Sequence, residues 1–339
     1  MYIEEVCVTN LRSFKKKKIS FKEGINILYG PNGSGKTTFL EAISLLSLGR
    51  SFKTNKATDY ISREESFYNI SGKTNNNTKV EIKGQKNKKA VFVNSEIIKK
   101  ISDHIYFLPT IINTPDETVL EGKNNFNRNK NINKNIILIE PKMLKTIKDF
   151  STILKQRNSS IKQREDFFIW NPQLIETSKK IWDQKNIYEQ KINNEIIKIT
   201  QKHNINKETK IKIKGITENK KDIESLLYKS KEKDIFKNTT TVGPHKDKIE
   251  YLLNGDEIKN KASQGERSVF FSILKKAESM LINKDSKKEP IVLLDDILSK
   301  LDNNNTSLVL DIFKNNKQTI ITHTEKINFP NVNQIKIDE

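Results

Sequence analysis

The fold is decided by residues 25–37, which read INILYGPNGSGKT. The apolar run 25–29 predicts a short buried strand, and Leu40, Ile43 and Leu46 predict a helix directly after the loop. The loop matches the pattern G-x-x-x-x-G-K-[ST] at every fixed position, between the strand and the helix that this pattern requires. The sequence therefore predicts a phosphate-binding loop, and the alternative is a chance match in a Gly/Ser turn.

The chemistry of this loop suits a nucleotide. Glycines let the backbone turn its N–H groups inward, and the loop delivers phosphate oxygens to a helix N-terminus that favours negative charge. Lys36 can reach the β- and γ-phosphates, and the Thr37 hydroxyl can bind Mg2+. The predicted nucleotide-binding residues here are Gly30, Pro31, Asn32, Gly33, Ser34, Gly35, Lys36, Thr37 and Thr38.

Composition narrows the class of protein. The chain has 339 residues and a formal net charge of +19, which suggests a polyanionic partner such as nucleic acid. A general bias toward Lys, Asn and Ile is the competing explanation of this charge. There is no apolar run of about 18 residues to span a membrane, and the N-terminus does not resemble a signal peptide. The single cysteine, Cys7, excludes an intrachain disulfide, so we expect a cytoplasmic protein without a membrane partner.

Three later segments are predicted to complete an ATPase site, and the first begins at Ser263. This serine stands at the N-cap of a strongly amphipathic helix, with Glu266 three residues further on. One interpretation is an ordinary capping box. The other adds that Ser263, Gly265 and the free N–H groups of the helix bind a γ-phosphate, and the sequence leaves both open.

The other two segments are apolar strands with polar ends. One ends in Asp295 and Asp296, and a carboxylate at the carboxyl edge of a parallel sheet is where Mg2+ needs a ligand. We expect Asp295 to take that role and Asp296 to polarise the attacking water as a general base. The alternative is a plain strand-to-turn junction. The last strand ends in Thr322 and His323, either of which could sense a γ-phosphate, although a structural histidine is the alternative.

These segments together resemble a known family. Four of them are similar to the Walker A, signature, Walker B and D-loop motifs of ABC-type ATPases: Gly30–Thr37, Ser263–Arg267, Leu293–Asp296 and Leu298–Asp302. The whole chain resembles the RecF family, ABC/SMC-like ATPases of bacterial DNA replication and repair. Further segments carry this resemblance: Leu11–Phe14, Gly49–Phe52, Leu154–Asn158 and Thr241–Asp247.

The resemblance implies an α/β fold. It is an ABC-type P-loop ATPase head, with a mixed sheet, flanking helices and a small antiparallel sheet, and it carries an inserted α-helical lid. The head is expected to be discontinuous, at 1–140 and 238–339, with the lid at 141–237. Helical periodicity from about Pro141 agrees with a helical insertion. The stretch 122–135 is poor in apolar residues and yields no prediction of its own.

The resemblance also implies ATP and Mg2+ as cofactors and a weak DNA-dependent ATPase. Such a protein dimerises on ATP, each nucleotide lying between Lys36 of one protomer and Ser263 of the other. It acts on single-stranded, gapped and double-stranded DNA, and it helps to load recombinase with RecR and RecO. The implied catalytic residues are Lys36, Asp296 and His323. The implied metal ligands are Thr37 and Asp295, and Arg12, Ser263, Gly265 and Arg267 are implied to contact the nucleotide.

Two other functions can use the same ATPase head. One is the nucleotide-binding subunit of a transporter, for which the insertion between phosphate loop and signature is too long. The other is a DNA-binding scaffold that has lost hydrolysis. The presence of Lys36, Thr37, Asp295 and Asp296 argues against the scaffold.

Overall fold

The computed structural model describes residues 1–49, 51–54, 56–86, 88–98, 108–114, 125–215 and 222–338. Arg50, part of one segment of the family resemblance, lies outside the described residues. The chain divides into two compact units. Unit 1 comprises Met1–Thr118 and Ser263–Glu339, and unit 2 comprises Val119–Ala262.

The strands of the described residues are β1 Ile3–Leu11, β2 Phe14–Ser20, β3 Gly24–Tyr29, β4 Phe67–Thr74, β5 Lys79–Gln85, β6 Lys89–Val93, β7 Glu96–Ile97, β8 Thr110–Asn113, β9 Thr209–Lys214, β10 Lys248–Leu253, β11 Asp256–Glu257, β12 Ile291–Asp295, β13 Gln318–His323 and β14 Asn333–Lys336. The α-helices are α1 Lys36–Leu48, α2 Asn125–Ile139, α3 Met143–Gln163, α4 Asn171–Lys202, α5 Ile223–Lys229, α6 Lys231–Lys237, α7 Ile258–Lys261, α8 Gln264–Ser286 and α9 Asn303–Phe313. Within these described parts of the chain, every helix is too short or too polar to cross a bilayer.

Unit 1 contains a five-stranded parallel sheet in the order β14-β3-β13-β12-β8. Every residue of β12 is buried, as expected for a parallel strand covered on both faces. The parallel register places Asp295 beside Thr322, and His323 beside Tyr29 at the end of β3. The end of β3, which precedes the phosphate loop, therefore lies along one edge of this sheet. Asp295, Asp296 and His323 lie along the same edge.

Unit 1 also contains an antiparallel sheet in the order β2-β1-β4-β5-β6-β7. The sequence predicted a small antiparallel sheet, and the observed one has six strands because β1 and β2 join it. Alternate residues of these strands point to one face, where Val8, Ile70 and Ile82 share a hydrophobic core with Leu46 of α1. These two sheets and α1 confirm the predicted α/β fold.

Unit 2 contains α2–α7 and a three-stranded sheet in the order β11-β10-β9. It extends beyond the predicted lid of 141–237 on both sides. The reason is that α2 contacts α4, and β10 pairs antiparallel with β9, so both flanking elements fold with the insertion.

Buried ion pairs tie unit 2 together. Arg157 and Asp234 lie 2.8 Å apart, as do Lys185 and Asp247, and all these side chains are fully buried. Arg157 and Asp247 belong to two of the family-like segments, which are therefore structural parts of this unit.

Candidate nucleotide-binding site

The phosphate loop needs glycine at two positions for steric reasons. Gly35 adopts φ 88°, and a Cβ there would lie 2.4 Å from the ring of Phe14. A Cβ on Gly30 would lie 2.4 Å from the carbonyl oxygen of Ile337. Real Cβ atoms do not approach so closely, and φ near 90° is a conformation that glycine adopts without strain. The loop is therefore held in its turn by surrounding backbone and side chains.

Lys36 lies at the start of α1 with its ammonium folded back under the loop. Its Nζ donates hydrogen bonds of 2.7 Å to the carbonyl oxygens of Gly30 and Pro31. Burial lowers the pKa of Lys36, while the nearby charges of Asp296 and Asp295 act to raise it. Because a charged acceptor binds an ammonium more strongly than a carbonyl does, the arrangement suits an anionic ligand.

Asp295 joins the phosphate loop to the neighbouring strands. Its Oδ1 accepts hydrogen bonds from Thr37 Oγ1 at 2.9 Å and from Thr322 Oγ1 at 2.7 Å. Burial raises the pKa of Asp295, and the bonds from the two hydroxyls oppose that rise. Thr322, which the sequence analysis considered as a phosphate sensor, positions this carboxylate.

The oxygen atoms of Asp295 and Thr37 fit Mg2+, which favours oxygen ligands and is usually bound through one or two carboxylates together with substrate phosphates. In the described part of the chain, no group of three or more His, Cys, Asp or Glu side chains is placed to hold a metal. A magnesium ion at this edge would therefore depend on the nucleotide for its remaining ligands.

Asp296 and His323 lie beside Asp295 with polar atoms that lack partners. Asp296 adopts φ 48°, a left-handed conformation that is uncommon outside glycine and that accompanies functional sites. Its N–H donates to Thr322 Oγ1 at 2.9 Å. Among the described residues, Asp296 Oδ1 and His323 Nδ1 are buried without a hydrogen-bond partner, which is rare unless a ligand or water completes the site.

His323 is half-buried, and its environment favours the neutral form of the ring. Burial lowers the pKa of His323, and the negative charge of Asp296 opposes that effect. A neutral imidazole has one donor and one acceptor nitrogen. His323 therefore has the chemistry of a hydrogen-bonding partner for a phosphate, and its catalytic role stays a prediction.

Ser263 caps α8 as the sequence predicted. Its Oγ accepts from the Glu266 N–H at 3.2 Å, and its own N–H donates to Glu266 Oε2 at 2.7 Å. Glu266 thus turns back toward the cap. The capping bond uses Ser263 Oγ as an acceptor, so the hydroxyl proton remains available for a phosphate oxygen. Ser263 is exposed, and Gly265 and Arg267 are half-buried in the first turn of the same helix.

Arg12 is held by a residue that sequence reasoning missed. Its Nε and Nη2 each donate to the Glu41 carboxylate at 2.9 Å, and its Nη1 bonds the carbonyl oxygen of Asp59. Glu41 is almost fully buried on α1, and a carboxylate within the apolar run of this helix is the signal that could have identified it. The predicted contact of Arg12 with the nucleotide stays a prediction.

Comparisons with known proteins agree with this geometry. A family model described as an AAA domain matches residues 6–231. The chain is 32% identical to the DNA replication and repair protein RecF of Thermoanaerobacter sp. (strain X514), over 96% of this chain and 95% of that relative. It is 30% identical to RecF of Streptococcus gordonii (strain Challis), over 100% of this chain and 98% of the relative.

Solved structures give the same picture. The structure of the recombination mediator protein RecF-ATPrS in the RecFOR pathway matches with a TM-score of 0.85 and 27% identity, covering 99% of this chain and 97% of that one. The Smc head domain bound to the C-terminal domain of ScpA, from Pyrococcus furiosus, matches with a TM-score of 0.55 and 17% identity, covering 96% and 90%. The second likeness concerns the fold alone.

Proposed function

Because this chain belongs to the RecF family of DNA replication and repair proteins, we propose that it is a DNA-binding switch driven by ATP. The observation that carries the proposal is the 2.9 Å hydrogen bond between Thr37 and Asp295. It brings the predicted phosphate loop and the predicted metal-binding strand end to one point. The family and the relatives solved with ATP indicate that the nucleotide is ATP.

We assign the following roles to the site residues. The N–H groups of the loop and Lys36 bind the phosphates. Thr37 and Asp295 would hold Mg2+, which when bound would supply positive charge against the charge of the phosphates. Asp296 takes the proton of the attacking water, and His323 donates a hydrogen bond to the γ-phosphate. Hydrolysis by such a protein is expected to be slow and stimulated by DNA.

ATP is proposed to join two heads. Ser263 is exposed at the N-terminus of α8, where its hydroxyl proton and the free N–H groups of the helix suit a γ-phosphate bound by the other protomer. Arg267 and Gly265 lie in the same turn. A ligand contacted from both sides only in the dimer shifts the equilibrium toward that dimer. Loss of the γ-phosphate on hydrolysis then allows the two protomers of the dimer to separate.

The dimer is proposed to act on DNA in the cytoplasm. The net charge of +19 favours phosphate contacts, and the relatives named from the RecFOR pathway suggest RecR and RecO as partners. Single-strand gaps and junctions between single-stranded and duplex DNA are the proposed sites of action, where the protein helps to load recombinase. In this account unit 1 is the ATPase head and unit 2 is the lid.

Phosphate release in the presence of gapped DNA tests this function. The wild type is expected to release phosphate slowly, and faster with gapped DNA than without. Lys36→Ala is expected to abolish phosphate release because the variant no longer binds ATP. Asp296→Asn is expected to slow release by at least about 100-fold, since general-base catalysis contributes about that much, while it retains the ATP-dependent dimer.

Asp296→Asn distinguishes a switch from a scaffold. If Asp296→Asn and the wild type release phosphate equally slowly, with or without DNA, the protein is a non-hydrolysing scaffold. If Lys36→Ala still dimerises with ATP at the wild-type affinity, the proposed switch is wrong.

A further inference from the structure

The antiparallel sheet of unit 1 has an outer face that α1 does not cover. Residues opposite each other in an antiparallel pair point to the same face, so the register defines this face. Phe67 lies opposite Gln85, and Glu81 lies opposite Phe92, which in turn lies opposite Ile97. Phe67 is 45% exposed and Ile97 is 57% exposed. Large apolar side chains thus face solvent on a sheet whose other face forms the core.

Basic side chains surround these apolar groups. By the same register, the lysines of the outer face are Lys16, Lys18, Lys73, Lys79 and Lys83. Its carboxylates are Glu5 and Glu81, and both are neutralised: Glu5 pairs with Lys18 at 2.6 Å, and Glu81 lies 3.6 Å from Lys83 and 3.9 Å from Lys79. Within the described residues, Lys16 and Lys73 have no ion pair, so the face is basic.

A groove runs along this face between β4 and β6. Its volume is about 970 Å³, and Phe67, Asn69, Lys83 and Lys88 are among the residues that line it. Lys83 also lies 5.4 Å above the ring centre of Phe92. Strand geometry places Phe67 and Phe92 about 17 Å apart, since they are separated by about four residues along the strands and two strands across. The outer face therefore presents two separated phenylalanine rings among ammonium groups, and Phe67 also lines the groove.

We propose that this outer face binds single-stranded DNA, with bases stacked on Phe67 and Phe92 and phosphates bound by the surrounding lysines. The inference rests on the DNA-binding function proposed above and names the surface that carries it. Aromatic rings on a basic surface bind unpaired bases, because every base has a π-face that stacks without regard to sequence. Duplex DNA hides those faces within its stack, so exposed rings favour the single strand.

The test compares two sets of variants in a fluorescence anisotropy titration with an oligothymidylate of about 20 nucleotides. Phe67→Leu with Phe92→Leu keeps apolar bulk on the sheet and removes the rings. Phe236→Leu is the matched control, because Phe236 is 86% exposed and lies in unit 2. Lys16→Glu with Lys73→Glu tests the charges. Duplex DNA of the same length is titrated in parallel.

We expect the double leucine variant to bind oligothymidylate at least about 10-fold more weakly, with duplex binding unchanged and the Phe236 control like the wild type. The double glutamate variant should bind both DNAs more weakly and should show a shallower dependence of affinity on salt. Wild-type affinity of the double leucine variant for oligothymidylate would overturn the proposal. An equal loss of affinity for duplex and single-stranded DNA in the double leucine variant would also overturn it.

Cys7 gives a second, direct measurement. It is the only cysteine of the chain, is half-buried, and lies opposite Lys18 on this face. Saturating oligothymidylate should slow alkylation of Cys7 in the wild type, and an unchanged alkylation rate at saturation counts against the surface. ATP-dependent dimerisation of the same proteins is measured alongside. If the protein dimerises with ATP but oligothymidylate does not protect Cys7, the proposed DNA-binding surface is wrong and the proposed ATP switch is unaffected.

Discussion

At the scale of single residues, the site depends on one carboxylate that is costly to bury. Asp295 is 7% exposed and lies beside a second aspartate. Two hydroxyl donors, Thr37 and Thr322, stabilise its charge without neutralising it. A divalent cation would remove most of the remaining cost, because it would place positive charge directly against the carboxylate.

Asp295→Asn tests this assignment. The amide keeps the shape of the side chain and one acceptor oxygen but loses the charge that attracts Mg2+. We expect the gain in ATP affinity that Mg2+ produces in the wild type to fall by about 10- to 100-fold, with binding in EDTA unchanged. Asp302→Asn is the matched control, because Asp302 caps α9 by accepting from the Asn305 N–H at 2.8 Å and asparagine caps equally well.

Calorimetric titration with and without Mg2+ measures both variants. If Asp295→Asn retains the full effect of Mg2+ on ATP affinity, Asp295 is not a ligand of the metal.

His245, in unit 2, makes stability depend on pH. Burial lowers the pKa of His245 to about 4, and its Nε2 is 3.1 Å from the carbonyl oxygen of Thr240. Among the described residues, its Nδ1 is buried without a hydrogen-bond partner. A second proton would therefore be buried on a nitrogen with no acceptor, which explains the lowered pKa.

The sign of the effect follows from proton binding. Between pH 4 and pH 6.5 the unfolded chain binds more protons at this histidine than the folded chain does, so stability is full above about pH 6.5 and is lost as the pH falls toward 4. We expect His245 to cost the wild type about 2 kcal/mol of unfolding free energy between pH 6.5 and pH 5. His245→Gln should lack this part of the pH dependence. Urea unfolding at both pH values measures the free energy of unfolding. An identical loss of that free energy between the two pH values in both proteins would contradict the assignment.

At the scale of elements, the N-terminus of α8 has two roles that one substitution can separate. Ser263 both caps the helix and is proposed to contact a γ-phosphate. Ser263→Ala should cost about 1 kcal/mol of unfolding free energy, because the cap is lost. Ser263→Asp should keep the cap and the stability, since aspartate is a good N-cap and its charge favours a helix N-terminus.

The same aspartate should abolish the ATP-dependent dimer by repelling the γ-phosphate. Thermal unfolding and light scattering with ATP measure the two effects. A Ser263→Asp protein that dimerises with ATP like the wild type would show that this helix only caps itself.

The sequence predicted the helices and strands that have a local pattern of apolar residues. The strand before the loop, α1, α8 and β12 all appear where apolar periodicity placed them. Helix α2 was not predicted, because Asn125–Ile139 is rich in Asn and Lys. It buries Ile132, Ile136 and Leu138. It also buries polar groups against partners distant in sequence: Arg128 lies 2.8 Å from Glu257, and Asn129 donates to the Asp247 carbonyl oxygen at 2.8 Å. Tertiary contacts of this kind leave no periodic apolar signal.

At the scale of the whole molecule, long-range contacts account for most of what the sequence left undecided. The motifs indicated that Thr37 and Asp295 would meet, because parallel strands end at a common edge. The apolar run around Glu41 marks that carboxylate as unusual, but nothing in the sequence indicated that Arg12 would bind it, or that Lys185 would be buried against Asp247. A buried ion pair depends on geometry that only the folded chain supplies. The contact between Thr37 and Asp295 was thus predictable, whereas the two ion pairs were not.

We propose that each ATP is bound between two copies of the chain, by Lys36 of one protomer and Ser263 of the other. Lys36→Ala and Ser263→Asp each damage both sites of a homodimer. In a heterodimer of these two variants, both substitutions fall in one site, and the other site has an intact lysine and an intact serine. A chain carrying both substitutions, paired with the wild type, places one substitution in each site and is the matched control.

The most direct measurement is therefore a pull-down with ATP, in which two chains carry different tags and the capture of one chain by the other is measured. We predict that neither single variant dimerises with ATP alone, that the mixture of the two forms heterodimers with ATP, and that the doubly substituted chain is not captured by the wild type. Failure of the mixture to form heterodimers, or equal capture in the mixture and in the control pair, would contradict a nucleotide shared between protomers.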